Sequence, residues 1–255
     1  MRSLNKQAGL SLIELMISIT LGLILMAAAT SSMLSTKNTY QVNDDLSRAQ
    51  ENGRLALDLM VKDLRMAGYR EPSNGDAPAF FNTGACGSID PCTNNGEGAG
   101  TSSDRLAVQF DPPEAGAELD CTGAAVGAKD VIANIYYVSN SAGINSLSCR
   151  TFNVTTGVMG NPQPLIDGID SLQVLYGIGS GDSVTRFVSS DSVADWGDVK
   201  AARLAVLVSN GSATGGGRER DRSYIVLDAD KQTYNDSHMR YIYSTTVYFN
   251  NAALN

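Results

Sequence analysis

The chain has 255 residues, 43% of them hydrophobic, and a formal net charge of -8 from 27 acidic and 19 basic residues. This acidic balance excludes non-specific DNA binding by the bulk surface, because such binding needs a broad basic footprint. The length suits one or two domains of ordinary size beside a terminal segment.

An apolar run near the N-terminus extends from Leu10 to Leu34 and contains one charged residue, Glu14, and no proline. A helix of this length measures roughly 37 Å, which exceeds a hydrocarbon core of about 30 Å. Arg2 and Lys6 precede the run, so we expect the N-terminal tail to stay cytoplasmic and the rest of the chain to be exported. The run therefore predicts a single membrane span.

Glu14 needs an explanation of its own, because a carboxylate inside a bilayer costs about 3 kcal/mol on insertion scales. It lies one helical turn after Leu10. A cut between Gly9 and Leu10 would create an α-amine at the start of the helix, and the amine of an adjacent subunit could then neutralise the carboxylate. The alternative is a charge that is tolerated near the cytoplasmic end of an ordinary anchor.

The N-terminus resembles the prepilin signature of type IV pilins and type II secretion pseudopilins. The resemblance rests on a short basic leader ending in Gly9, the small residue Ser11, Glu14 at the fifth position after the leader, and the apolar run. It implies cleavage between Gly9 and Leu10 by prepilin peptidase, N-methylation of Leu10, and an assembly salt bridge from Glu14 to a neighbour's N-terminus. Major pilins usually have Phe in place of Leu10, which weakens the case for a major subunit.

A secretory signal peptide is the competing interpretation of this run. Ala27 to Ala29 could form an A-x-A cleavage site, which would give a soluble product starting at Thr30. The run is longer than the usual apolar region of about 7 to 15 residues and carries an acid, so we favour the prepilin interpretation. The mature N-terminus, N-methyl-Leu10 or Thr30, distinguishes the two.

The helix is predicted to continue over residues 35–68 with an amphipathic pattern. One stripe of small and apolar residues recurs at steps of three and four: Val42, Leu46, Ala49, Gly53, Ala56, Met60, Leu64 and Ala67. Charged residues, including Asp63, lie between them, and Gly68 and Pro72 mark the end. A coiled-coil seam would be longer and lack Gly and Ala, so we expect packing against a sheet, with Met60 and Met66 as core residues.

Four cysteines fall in the exported portion: Cys86, Cys92, Cys121 and Cys149. An even count in an oxidising compartment favours disulfides, and the sequence leaves three pairings open. We favour Cys86 with Cys92, inside a long loop at 69–103, and Cys121 with Cys149. A zinc site is the alternative, but there is no CxxC and the only histidine, His238, is remote in sequence, so no metal is predicted.

Strand patterns dominate the rest of the chain. The candidate strands are residues 106–111, 131–138, 147–152, 172–176, 202–208 and 239–249, of which the last is the longest. Residues 131–138 are apolar on both faces except for Asn134, which is typical of a central strand. One helix followed only by strands predicts an α+β fold with an antiparallel sheet.

The segments at 164–177, 202–208 and 243–247 are similar, in this order, to segments of PilW-type minor pilins. The resemblance implies a pilin-like fold with the long helix packed on the sheet. It also implies a minor pilin that joins other minor and major pilins, takes part in priming pilus assembly and lies at or near the tip. The pilus that contains this subunit would support twitching motility, DNA uptake or adhesion. The alternatives are a minor pseudopilin of type II secretion and a tip adhesin for a surface ligand.

These inferences divide the chain into a leader (1–9), a membrane-spanning assembly helix (10–34), its amphipathic continuation (35–68) and a β-rich head (69–255). The inner membrane is the expected first location, with the head in the periplasm, and the pilus at the cell surface is the destination. Prepilin peptidase and other pilins are the implied partners, and DNA or a surface ligand stays open. We expect no cofactor and no small-molecule substrate.

No residue pattern predicts catalysis. His238 lies without a G-x-S-x-G motif, so we expect an exposed histidine at a strand end and not a hydrolase. The glycine-rich segments 177–182 and 215–217 lack the lysine of a P-loop and the spacing of a calcium loop, and they predict turns, as does 228–230.

One local basic patch stands out in the β-rich head: Arg218, Arg220 and Arg222, interleaved with Glu219 and Asp221. Its charges compensate one another internally, which predicts a solvated hairpin tip. Contact with another minor pilin or with DNA is the alternative.

Overall fold

The computed structural model describes residues 11–70, 80–81, 83–96, 103–112, 118–127, 129–180, 183–209 and 220–251. The chain forms two compact units, Met1–Asp44 and Asp45–Asn255. Gly9, Leu10, Arg218 and Glu219, and the glycines at 215–217, lie outside the described residues. The second unit, from Asp45 onward, is called the head below.

One α-helix, α1 (Leu12–Met66), follows the apolar run and the amphipathic stripe. Its first turn is closed by a hydrogen bond of 3.2 Å from the Ser11 backbone N–H to Glu14 Oε2, which is half of a capping box. Gly68 follows the helix with a φ of 67°, the left-handed conformation that commonly ends a helix. A Cβ at Gly68 would lie 2.2 Å from the Phe80 ring, so this turn also needs the absence of a side chain.

The first sheet is antiparallel and has five strands: β1 (Leu106–Phe110), β2 (Ile132–Ser141), β3 (Ile144–Asn153), β4 (Val158–Met159) and β5 (Gln163–Asp167). β2 lies between β1 and β3, and β4 and β5 both pair with β3. The prediction of a central strand over 131–138 is therefore confirmed.

The second sheet is also antiparallel, with the order β11-β8-β6-β7. Its strands are β6 (Ile169–Ser180), β7 (Ser183–Val188), β8 (Val199–Ser209) and β11 (Arg240–Tyr248). Two short 3-10 helices, Ser190–Ser192 and Trp196–Asp198, connect β7 to β8. A separate hairpin of β9 (Arg220–Tyr224) and β10 (Gln232–Asp236) stands between β8 and β11 in the chain.

The core of the head lies between the second half of α1 and one face of both sheets. The helix contributes Ala49, Ala56, Leu57, Met60 and Leu64. Alternate residues of the central strand β8 face them: Ala202, Leu204, Val206 and Val208. The predicted α+β class, a long N-terminal helix with antiparallel sheet, is confirmed.

Each sheet is also covered on its outer face. The disulfide loop with Cys86 and Cys92 packs on Ala107, Ala133, Ile135 and Phe152 of the first sheet. The hairpin turn residue Val226 packs on Ala205 and Leu207 of the second. Because both faces are covered, β1 is buried along its whole length.

Several local predictions were wrong. The longest strand is β6, with 12 residues, and not the C-terminal strand, because β6 pairs on one side with β8 and at its end with β7. Gly177 to Ser180 lie in β6 and not in a turn. Asp221 and Arg222 lie within β9, so the basic patch is not a hairpin tip: the turn of this hairpin is formed by residues 225–231.

Candidate functional site

The N-terminal unit exposes its apolar side chains. In the described residues 11–44, the large hydrophobic side chains from Leu12 to Leu34 are between 52% (Leu15) and 76% (Leu12) exposed. The segment is long and apolar enough to cross a membrane by length and composition. An exposed apolar surface of this extent needs a cover of lipid or of other helices.

Several hydroxyl side chains in this segment are bonded within the helix. The hydroxyls of Ser18, Thr20 and Thr30 donate to carbonyls one turn earlier at 2.7 to 3.1 Å. Among the described residues, the Glu14 carboxylate accepts one hydrogen bond, from the Ser11 N–H, and no cationic side chain pairs with it. Glu14 is thus a carboxylate in an apolar segment without a counter-charge in the described part of the chain.

The four predicted cysteines form two disulfides in the head. Cys86 bonds to Cys92 and Cys121 bonds to Cys149, with Cα atoms 5.6 and 6.2 Å apart. This is the pairing that the sequence analysis favours. The first closes the loop that covers the outer face of the first sheet, and the second ties the segment before β2 to β3.

A buried carboxylate among the charged residues between the stripe positions of α1 connects the helix to the first sheet. Asp63 is 7% exposed, and its Oδ2 accepts hydrogen bonds of 2.7 Å from Asn134 Nδ2 and from the Tyr136 hydroxyl. Asn134 Oδ1 in turn accepts from the Thr151 hydroxyl at 3.0 Å. Burial raises the pKa of Asp63 above its ordinary value, against the lowering effect of these two hydrogen bonds.

The apolar stripe did not reveal Asp63, because a charged residue on a helix is normally solvated, although Asp63 lies three residues after Met60 and four before Ala67 on the same face. The available signal was Asn134, a polar residue in an otherwise apolar central strand. A buried amide needs hydrogen-bond partners, and a carboxylate on the packing helix can supply one.

A second polar cluster lies where β11 begins. Arg240 Nε donates to Asp170 Oδ2 at 2.6 Å, and Nη1 and Nη2 donate to both carboxylate oxygens of Asp236 at 2.9 and 2.7 Å. The Arg240 and Asp170 side chains are each 6% exposed. The hydrogen bonds from Arg240 lower the pKa of Asp236 to about 2. This arginine joins β6, β10 and β11.

The cluster borders a cavity of about 480 Å³ that also reaches Asn52 on the helix and Asn145 on β3. His238 lies beside it, half-buried, with Nδ1 3.6 Å from Asp236 Oδ2. The predicted exposed position of His238 at a strand end is therefore only partly right. The His238 backbone carbonyl accepts a hydrogen bond from Arg222 Nη1 at 2.7 Å. Arg222 of the basic patch therefore links β9 to the connection between β10 and β11.

The predicted site residues do not form one cluster. Glu14 belongs to the N-terminal unit, and the four cysteines belong to the head. Within the described ranges, no group of three or more His, Cys, Asp or Glu side chains is arranged to hold a metal. The N-terminal unit has an exposed apolar surface. In the head, the two polar clusters join the helix and strands through hydrogen bonds.

Comparisons with known proteins agree with this arrangement. The family model described as Type IV Pilus-assembly protein W (PilW) matches residues 135–251, and the prokaryotic N-terminal methylation motif matches residues 4–30. The comparison with curated proteins found no match. A solved type IV-like pilin from Thermus thermophilus is similar with a TM-score of 0.43 and 18% identity, over 83% of this chain and 96% of that chain.

The two family matches define a type IV pilin-like protein. Within that class the two matches support a minor pilin of the PilW type. The family is one of structural pilins and not of enzymes. The methylation motif implies prepilin processing and pilin partners, and together with the apolar helix it supports membrane anchoring and association with a pilus.

Proposed function

We propose that this minor pilin takes part in priming type IV pilus assembly and is incorporated at or near the pilus tip. The observation that carries the proposal is the exposed apolar half of α1 with a single carboxylate, Glu14, that has no counter-charge among the described residues. The PilW match over the head favours the pilus over type II secretion.

In this proposal the chain is divided as the sequence predicts, into a leader (1–9), an assembly helix (10–34), its continuation (35–68) and a head (69–255). Prepilin peptidase cleaves between Gly9 and Leu10, and Leu10 becomes N-methylated. The N-terminus faces the cytoplasm and the head faces the periplasm, since Arg2 and Lys6 precede the span.

Glu14 acts when the helix leaves the bilayer. The carboxylate exchanges the single Ser11 N–H for the charged N-terminus of a neighbouring subunit, and a hydrogen bond between two charged groups replaces one in which only the carboxylate is charged. Removing one partner of such a pair in an apolar setting costs about 3 to 5 kcal/mol, because the remaining charge stays unpaired.

Glu14→Leu tests the role of this carboxylate. We expect processing to stay intact, as seen by mass spectrometry of the N-terminus, and incorporation into sheared pili to fall by at least about tenfold. Ser18→Ala is the matched control, since the Ser18 hydroxyl is bonded within the helix. Normal incorporation of the Glu14→Leu protein would contradict the mechanism.

A deletion strain tests the process. Loss of surface pili and twitching would support the proposal, whereas loss of secreted enzymes with normal pili would assign the chain to type II secretion. Complementation with the full-length chain is the control for both readouts.

A further inference from the structure

The outer edge of β11 has no partner strand among the described residues. β11 is the terminal strand of the second sheet and pairs only with β8, over nine consecutive residues without a register shift. Among the described residues, none hydrogen-bonds to the backbone of residues 241–248 from the other side. The strand therefore presents a regular edge of backbone groups.

The register identifies which residues face that edge. The Phe249 N–H donates to the Lys200 carbonyl at 3.0 Å, and the same register continues through β11 and β8. In an antiparallel pair, residues two apart share the hydrogen-bonded position, so Tyr241, Tyr243, Thr245 and Val247 bond to β8. Ile242, Ser244, Thr246 and Tyr248 direct their N–H and C=O groups outward.

This edge lacks the features that normally protect edge strands. Between Tyr241 and Tyr248 there is no proline, no charged residue and no bulge, and the residues are mostly aromatic or β-branched. The outward residues Ile242 and Tyr248 are 46% and 61% exposed. A long, regular and uncharged edge is a template for strand addition.

The other sheet edges in the described residues differ from β11. β1 is covered, because Phe81 bridges to Val108 and the Gln109 N–H donates to the Phe80 carbonyl. β7 is shorter, carries Arg186 and pairs with β6 through a register shift. β11 is thus less covered than β1, and longer and more regular than β7.

We propose that β11 binds an extended strand of another pilin-type subunit, so that the second sheet continues across a subunit contact. The regular spacing of outward N–H and C=O groups accepts only an extended backbone. In the added strand, apolar or β-branched side chains fit beside Ile242 and Tyr248, and small polar side chains fit beside Ser244 and Thr246.

The occupant is a different subunit and not a second copy of this chain. Two copies paired through β11 would form a closed two-fold dimer, whereas the subunits of an open assembly meet through two different surfaces. This choice of partner rests on the proposed pilus function.

Photo-cross-linking in cells tests the pairing. p-Benzoylphenylalanine replaces Tyr248 in the full-length chain, and Ile225, which is also 61% exposed but lies in the hairpin turn, is the matched control position. We expect an adduct from position 248 with a subunit that has its own N-terminal methylation motif, and at least about a tenfold weaker adduct from position 225. Equal adducts, no adduct, or an adduct with a second copy would overturn the proposal.

Two substitutions at Ser244 provide an independent readout. Ser244→Pro removes an outward N–H, and Ser244→Lys places a charge on the edge, while Ser244→Ala keeps both the N–H and neutrality. We expect the adduct at position 248 to fall at least about tenfold with Lys and Pro and to persist with Ala. If the Lys protein, folded by its melting curve, cross-links like the Ala protein, the proposal is wrong. The deletion strain reports on pilus function separately, so the two failures are distinguishable.

Discussion

The two halves of α1 both carry apolar residues but expose them to opposite degrees. The first half presents large side chains such as Leu12 and Leu25 that are 76% and 69% exposed. The second half buries small residues such as Ala49 and large ones such as Leu64 against the sheets. Exposed apolar residues need a cover that comes from outside the subunit, whereas the buried ones are already covered by the head. The charges follow the same division: Glu14 has no counter-charge among the described residues, and Arg240 in the head is fully paired.

The largest effect is expected at the paired charges of the head. Arg240→Ala leaves Asp170, 6% exposed, without its counter-charge, which should lower the free energy of unfolding by about 3 to 5 kcal/mol. Arg54→Ala is the control, since the Arg54–Asp58 pair is exposed and contributes below about 1 kcal/mol. Denaturant unfolding of the full chain in detergent measures both, and equal effects would break the comparison.

The same measurement has a defined pH dependence. The folded pKa of Asp236 is lowered to about 2 by hydrogen bonds from Arg240, so its stabilising effect is fully present above the ordinary carboxyl pKa of about 4. It is lost as the pH falls from there toward 2. Arg240→Ala should remove this acid-induced loss of stability.

Leucine truncation compares the two halves directly. Leu64 is fully buried, so Leu64→Ala should lower the free energy of unfolding of the head by about 2 to 5 kcal/mol. Leu25→Ala should leave head unfolding unchanged and instead weaken partition of the chain into membranes. A similar loss of head stability in both variants would contradict the division.

Substitution of a buried glycine is expected to have a smaller effect on head stability. A Cβ at Gly53 would lie 2.4 Å from the Tyr243 ring, so Gly53→Ala should destabilise the head by about 1 to 3 kcal/mol through overpacking. Gly22 has nothing within 4 Å of the same position, and Gly22→Ala should leave the head unaffected. Melting curves of the two variants in the same detergent measure this difference in head stability.

The smallest effect concerns Asp63. Its folded pKa is raised by burial, so its contribution to stability is greatest below the ordinary carboxyl pKa and falls as the pH rises. Asp63→Asn keeps an acceptor for Asn134 and Tyr136 and removes the charge, so stability should become less dependent on pH between about pH 3 and pH 7. Asp63→Ala, which leaves both donors unbonded, should cost about 1 to 3 kcal/mol.

The helix and the core strands were predictable because their patterns are dictated by burial. The stripe from Ala49 to Ala67 follows from apolar periodicity, and the central strand at 131–138 follows from a run that is apolar on both faces. The charged sequence of β9 and the glycines of β6 were not, since their strands form through pairing with a neighbour that the sequence does not identify. Periodicity likewise could not distinguish buried Asp63 from the exposed charges around it.

Gly53 and Tyr243 also predict how related sequences vary. The ring of Tyr243 occupies the space that a side chain at position 53 would need, although the two residues are far apart in the chain. A larger residue at position 53 is therefore compatible with this fold only when position 243 becomes smaller. In an alignment of relatives, the two positions should covary, with the sum of their side-chain volumes nearly constant.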